Sequence, residues 1–330
     1  MNDGVSIPLL AFGTGTALLR TKLMSSGRDP KTARLDTDER VDREVVELIK
    51  TAVRVGYRHL DTAEMYQTEP ELGAAIREVI AEGVVRREDL FVTTKISSEY
   101  ARAGDKIDVS LRKLGLDYVD LYLIHTPLLR GPDGDLPAAW AALQAVKASG
   151  KARSIGVSGY QPEHLLTTLA APTTTTPPSI NQVELHPYLP GRELLALSRE
   201  RGIAVAAYGA LHPLTRNPNP GGPLDAVLER IAARHGVSVA LVCLRWCVEL
   251  GLVVVTTSRR VERMREYFGV FDFRLDEDEV RQISEAGRAS LPGGKELVPR
   301  QVAYQRALDA QAQAEAEAEA EDRKAKGIYE

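Results

Sequence analysis

A single-domain (β/α)8 barrel of the TIM type is the fold this sequence predicts, on three observations. Eight short β-branched or apolar runs are separated, from about residue 42 to 290, by longer segments of helical period. Eight parallel strands joined by right-handed helical crossovers are the number that closes such a barrel. No G-x-G-x-x-G follows the first run, which weighs against an open, doubly wound sheet.

The strand candidates, in order, are LLAFG (9–13), YRHLDT (57–62), LFVTTK (90–95), VDLYLIH (119–125), ARSIGVS (152–158), SINQVEL (179–185), IAVAAYG (203–209) and LVVVTTS (252–258). Helical segments between them include DREVVELIKTAVRVG, EPELGAAIREVIAEG, AGDKIDVSLRKLG, PAAWAALQAVKASG, RELLALSRERG and the pair PLDAVLERIAARHG with SVALVCLRWCVELG. Seven glycines (Gly56, Gly83, Gly115, Gly150, Gly202, Gly236, Gly251) stand where helices are expected to end. Three stretches break the rhythm: a polar loop at 20–41, a Pro/Thr connector at 171–179, and a tail rich in Ala, Gln and Glu. The tail has high helix propensity but no apolar stripe, so an exposed helix is expected there. The barrel is assigned to residues 1–300 and the low-complexity tail to 301–330.

The 330 residues carry 42 Lys plus Arg against 46 Asp plus Glu, and the basic residues are dispersed. That composition excludes a nucleic-acid footprint, which needs a clustered basic face. No apolar run approaches the ~20 residues of a membrane span, and no signal pattern opens the chain. Cys243 and Cys247 lie four apart in a helical pattern and are expected in the core as small apolar residues rather than as a metal or disulfide pair. A cytoplasmic protein is expected, with no metal.

Chemistry concentrates at the C-terminal ends of three successive strands. Asp61 closes the second, Lys95 the third and His125 the fourth, and this end of a barrel is where active sites form. Tyr66 lies five residues past Asp61, near enough for the loop to return it over the mouth. Alternation in VDLYLIH groups Leu121, Leu123 and His125 on the interior face. A phenol holds its proton at neutral pH, and an adjacent ammonium lowers the cost of releasing it. A carboxylate keeps that ammonium charged, and an imidazole fixes a carbonyl oxygen. Individually each residue has an ordinary role as a cap, packing group or surface charge; the spaced set points to proton delivery onto a carbonyl.

The strings that carry these residues, GYRHLDTAEMY (56–66), TTKI (93–96), DLYLIH (120–125), IGVS (155–158), NQVELHP (181–187), AAYGAL (206–211) and TTSRRVERMREYFGVFDFRL (256–275), resemble the aldo-keto reductase superfamily, in order over residues 9–288. AEMYQTEPELGAAI, the TTS string and the AAYG turn look most like its fungal branch, which reduces α-keto amides, conjugated polyketones and ketopantoyl lactone. The resemblance implies reduction of an aldehyde, ketone or α-dicarbonyl with NADPH, NADH being disfavoured. It implies Tyr66 as general acid, Lys95 and Asp61 as its tuning pair and His125 as substrate orienter. It further places Ser158, Gln182 and Tyr208 at the nicotinamide, and counts Thr14 and Leu211 among the cofactor-binding residues. Ser258, Arg259 and Arg263 fall at the 2′-phosphate, and Glu266 near the adenine. A small-molecule carbonyl substrate and a monomer or weak homodimer complete the expectation, with neither nucleic acid nor membrane as partner.

Four departures from the family pattern stand out. Gly159 replaces the Asn after the carboxamide-binding Ser, and Thr126 the usual Trp after the catalytic His. Thr256-Thr257 replace Pro-Lys before the phosphate-binding Ser, leaving Arg259 and Arg260 to supply the charge. Tyr267 replaces an adenine-contacting Asn and is expected to stack on the base. Two rival functions are a nucleotide-binding partner subunit of the same fold, and a metal-dependent barrel hydrolase using Asp61 and His125. The second lacks a legible His/carboxylate cluster.

Overall fold

The computed structural model describes residues 1–15, 18, 41–128, 135–291, 297–299 and 303. The polar loop at 20–40, the segment 129–134 and nearly all of the expected tail lie outside the described residues.

All eight expected strands form and close into one parallel barrel in sequence order. They are β1 (Leu10–Gly13), β2 (His59–Asp61), β3 (Phe91–Ile96), β4 (Val119–Ile124), β5 (Ala152–Ser158), β6 (Ile180–Glu184), β7 (Ala204–Tyr208) and β8 (Val253–Thr256). β1 pairs with both β2 and β8, which completes the ring. Strands such as β3 and β4 are buried on both faces, so continuous apolar runs rather than strict alternation mark them in the sequence.

Among the described residues the seven named helical segments form to within a residue or two, and four further helices join them. Asp42 caps α1 (Arg43–Val55), accepting from Glu44 N and Val45 N. α2 (Glu69–Ala81), α3 (Ala103–Leu114), α4 (Leu136–Ala148), α5 (Pro162–Ala170), α6 (Arg192–Glu200) and a short α7 (His212–Thr215) succeed it. α8 (Pro223–His235) and α9 (Val239–Glu249) form the expected pair, and α10 (Val261–Glu266) and α11 (Glu277–Ala289) end the described barrel. All seven helix-ending glycines have positive φ. α11 carries a capping box between Asp276 and Glu279. No single helix among the described residues is long and apolar enough to cross a membrane.

Among the described residues two apolar clusters result. The larger fills the layer between strands and helices and includes Cys243 and Cys247, both free and buried as expected. The smaller, Phe91, Leu121, Leu123, Ile180, Ala206 and Val253, fills the barrel interior, and Met1, Val5 and Ile7 pack against it. Those three precede β1, and Phe91 and Val253 open their strands, so the N-terminal mouth is stoppered. Above the cluster the interior turns polar: His59 Nε2 lies 3.0 Å from Thr93 Oγ1. The next layer toward the C-terminal rim holds Asp61 and Lys95.

Candidate active site

Strand register assembles the four expected residues. Asp61 pairs with Thr93 across β2–β3, and Lys95 with Leu123 across β3–β4. Period-two alternation then turns Asp61, Lys95 and His125 into one mouth. Lys95 is fully buried, and its Nζ donates to Asp61 Oδ1 at 2.6 Å and to the Thr62 carbonyl at 2.9 Å. The other Asp61 oxygen accepts from Gln182 Nε2 at 2.7 Å, so the carboxylate is gripped from two sides of the barrel. Burial pushes the Lys95 ammonium toward neutrality and the Asp61 charge opposes it, the role the sequence assigns to the pair.

Tyr66 ends a short 3₁₀ turn, Glu64–Tyr66. Glu64 anchors this turn by accepting from Ser97 N at 3.0 Å and pairing with Lys106. The phenol oxygen lies 3.3 Å from His125 Nε2, and Lys95 Nζ sits 5.0 Å from the Tyr66 ring centroid. On the opposite ring nitrogen, Ser97 Oγ lies 3.0 Å from His125 Nδ1. A Cβ placed on Gly15 would meet the Tyr66 ring at 3.1 Å, so the ring rests on that glycine. Sequence reasoning missed Ser97, Glu64 and Gly15. For Ser97 a signal existed, since two residues past Lys95 on an extended chain means the same face.

The electrostatics correct one expectation. The Tyr66 phenol is held well above its usual range, first by burial and then by the Asp61 charge, rather than lowered by Lys95. The ring is partly buried, which leaves a phenolate poorly solvated, and the Asp61 carboxylate adds a repelling charge. His125 is pushed down to about 3 by burial and by Lys95, so its imidazole is neutral at working pH. Tyr66 therefore holds a proton firmly until a neighbouring oxygen becomes more basic, and neutral His125 shares the same opening. Together they can receive a carbonyl oxygen and protonate it as charge develops there.

The expected cofactor residues divide into three groups. Thr14 is buried, its amide donating to the Asp61 carbonyl at 2.8 Å and its hydroxyl 2.7 Å from Thr68 Oγ1. Ser158 pairs with Gln182 across β5–β6 and donates to its carbonyl at 2.8 Å. The Gly159 amide reaches the same carbonyl at 2.9 Å. Tyr208 closes β7, and Leu211 caps the turn into α7. At the far end, Ser258, Arg259 and Arg263 line one cavity of about 510 Å³ with Thr257, Arg260, Glu44 and Leu48. The Ser258 hydroxyl accepts from Arg260 N at 3.0 Å, which folds the loop around it. Among the described lining residues, three guanidinium groups against one carboxylate suit a phosphate, so this end fits a 2′-phosphorylated dinucleotide.

The carboxylate of Glu266, the residue expected near the adenine, accepts from the Ser238 hydroxyl that caps α9. One residue stands elsewhere than expected. Tyr267 is 4% exposed and part of the main core, so it is packed inside rather than offered to an adenine ring. The absence of a legible His/carboxylate cluster is also corrected. Glu184, His186 and His212 bring one ligand atom each within 4.8 Å of one another, away from the strands of Asp61 and His125.

Comparison with known proteins identifies the family. The Aldo/keto reductase family profile matches residues 32–288. Dihydrodiol dehydrogenase 3 of Bos taurus is 36% identical over 307 aligned residues, covering 86% of this chain and 89% of that protein. Human aldo-keto reductase family 1 member C2 is 35% identical over 312, covering 87% and 90%. A Bombyx mori aldo-keto reductase solved in complex with NADP superimposes with a TM-score of 0.74 at 33% identity, covering 88% of this chain and 94% of that one. With its barrel closed, its tetrad assembled and its sequence matched over most of its length, the chain belongs to the aldo/keto reductase family.

Proposed function

We propose that this chain is an NADP-dependent oxidoreductase that reduces an aldehyde, ketone or α-dicarbonyl to the alcohol, with Tyr66 as proton donor. The observation that carries the reading is the convergence of Tyr66 Oη and His125 Nε2, 3.3 Å apart, beside a fully buried Lys95–Asp61 pair. Ser158, Gln182, Tyr208, Thr14 and Leu211 would hold the nicotinamide end, and Ser258, Arg259 and Arg263 the 2′-phosphate. When bound, the cofactor supplies the hydride. The chain's own residues do the rest. Neutral His125, oriented by Ser97, positions the carbonyl oxygen. As that oxygen gains negative charge, Tyr66 transfers its proton to it, with the Lys95 ammonium 5.0 Å from the centre of its ring. Asp61 keeps the ammonium charged, and Gln182 keeps Asp61 in place.

The arginine-lined cavity favours NADPH over NADH. The fungal-branch substrates, α-keto amides, conjugated polyketones and ketopantoyl lactone, rest on the sequence strings alone, since the relatives compared are mammalian and insect proteins. Two free, buried thiols suit the expected cytoplasmic location. The test is Tyr66→Phe, which should cut NADPH-dependent carbonyl reduction by about 10²–10⁴-fold while NADPH binding, read by fluorescence quenching, stays within about twofold. Retained turnover in that variant removes Tyr66 from the mechanism. A screen of aldehydes, diketones, α-keto lactones, α-keto amides and sugars then defines the substrate.

A further inference from the structure

We propose that Glu184, His186 and His212 form a binding site for a divalent transition-metal ion, zinc foremost, that fastens the loop after β7 to the end of β6. The three side chains approach from fixed backbone. Glu184 is the last residue of β6, paired with Tyr208 of β7. His186 lies in a two-residue antiparallel bridge with Leu189, whose amide donates to the His186 carbonyl at 2.7 Å. The next residue, Pro187, is wedged against α11: a Cβ on Gly287 would collide with the Pro187 carbonyl oxygen. His212 opens α7, with its amide on the Gly209 carbonyl at 2.8 Å. Its ring lies against Gly209, where a Cβ would come within 2.9 Å of the imidazole.

The spacing suits a shared ion. Glu184 Oε1 is 3.1 Å from His212 Nδ1 and 3.8 Å from His186 Nε2. Ligands about 2.0–2.1 Å from a tetrahedral metal stand roughly 3.4 Å apart, and these distances straddle that value. The imidazole rings lie 4.7 Å apart, centroid to centroid. Glu184 and His186 are buried and His212 is 14% exposed on its side chain, so an ion would enter from the His212 side. Two imidazoles and one carboxylate select a borderline ion such as zinc; calcium and magnesium require oxygen ligands throughout. Three protein ligands leave a fourth position for water. His212 adjoins Leu211 and follows Tyr208 by four residues, so the ion ties down the loop that the proposed cofactor reading uses. The metal proposal itself stands on Glu184, His186 and His212 alone.

The full-length chain, freed of metal by chelator and dialysis, is titrated with Zn²⁺ by calorimetry and with Co²⁺ by visible absorption. Expected are one-to-one binding at micromolar or tighter affinity and the d–d bands of a four-coordinate Co²⁺ site. Glu184→Gln and His212→Ala should each weaken Zn²⁺ by at least tenfold. His235→Ala, which removes a histidine paired with Glu279 on another face, should leave it unchanged. Amide exchange over residues 209–216 should slow with Zn²⁺ in the parent and not in Glu184→Gln. Circular dichroism and the metal-free melting temperature verify that the variants fold, His212→Ala being the mild change on a four-residue helix. Binding no tighter than millimolar, or binding that survives both ligand substitutions, overturns the proposal and leaves a carboxylate flanked by two imidazoles.

Discussion

Replacing Asp61 with Asn removes the carboxylate that touches the buried Lys95 ammonium, and the structure sets the size of the consequence. The pair lies 2.6 Å apart with both side chains essentially inaccessible. At an effective dielectric of about 20, charges at that separation attract by roughly 6 kcal/mol. Desolvation of both partners offsets much of this, and removing one partner of such a pair costs about 3–5 kcal/mol, because the other charge is left buried and uncompensated. The substituted amide would keep the shape and still offer one oxygen, so nearly all of the loss should be electrostatic. The assay is urea unfolding of four proteins: parent, Asp61→Asn, Lys95→Met, and the double variant. Each single change should lose about 3–5 kcal/mol, whereas the double, which buries no charge, should fall well short of their sum, with a coupling of about 2 kcal/mol or more. Additivity within about 0.5 kcal/mol would refute the claim that Asp61 holds the lysine charged, and with it the assigned role of the pair.

Three further outcomes follow from the same geometry. His59 and His125 are held by burial at about 4 and about 3, below the ~6.5 of an unfolded histidine, so the unfolded chain binds more protons and stability falls as pH drops through 6.5. Between pH 7 and 5 each should cost about 2 kcal/mol, and His59→Gln should lose that much less over the same interval in urea unfolding; an identical pH dependence would contradict the buried neutral state. Arg263→Ala should raise the NADPH dissociation constant by about tenfold to a hundredfold, the worth of one charge-assisted phosphate contact, and leave NADH binding unchanged; equal losses for both would place the cavity away from the 2′-phosphate. Gly15→Ala forces the Tyr66 ring to move by a few tenths of an ångström from its 3.1 Å contact, so kcat should fall about tenfold at constant cofactor affinity, read by steady-state kinetics beside fluorescence titration.

The barrel was legible because parallel strands buried on both faces read as apolar runs and because helices end in glycine, two local signals. Asp61, Lys95 and His125 were legible for a related reason, since strand ends and period two place them together without further information. What escaped is tertiary. The Gln182–Asp61 bond joins residues 121 apart. The direction of the Tyr66 shift depends on how completely the mouth excludes water, which no residue spacing encodes. Tyr267 looked like a stacking surface, yet its backbone turns the ring into the core. Glu184, His186 and His212 stayed scattered because the third of them comes from a loop beyond the next strand.

The plug of Met1, Val5 and Ile7 beneath the interior cluster has a kinetic consequence. With the interior filled by side chains and its floor covered, the site opens at the C-terminal rim, so in the proposed reaction both reactants must pass that rim. Whichever molecule seats deeper has to arrive first and depart last. Sequence of traffic is then a property of the architecture rather than of relative affinities.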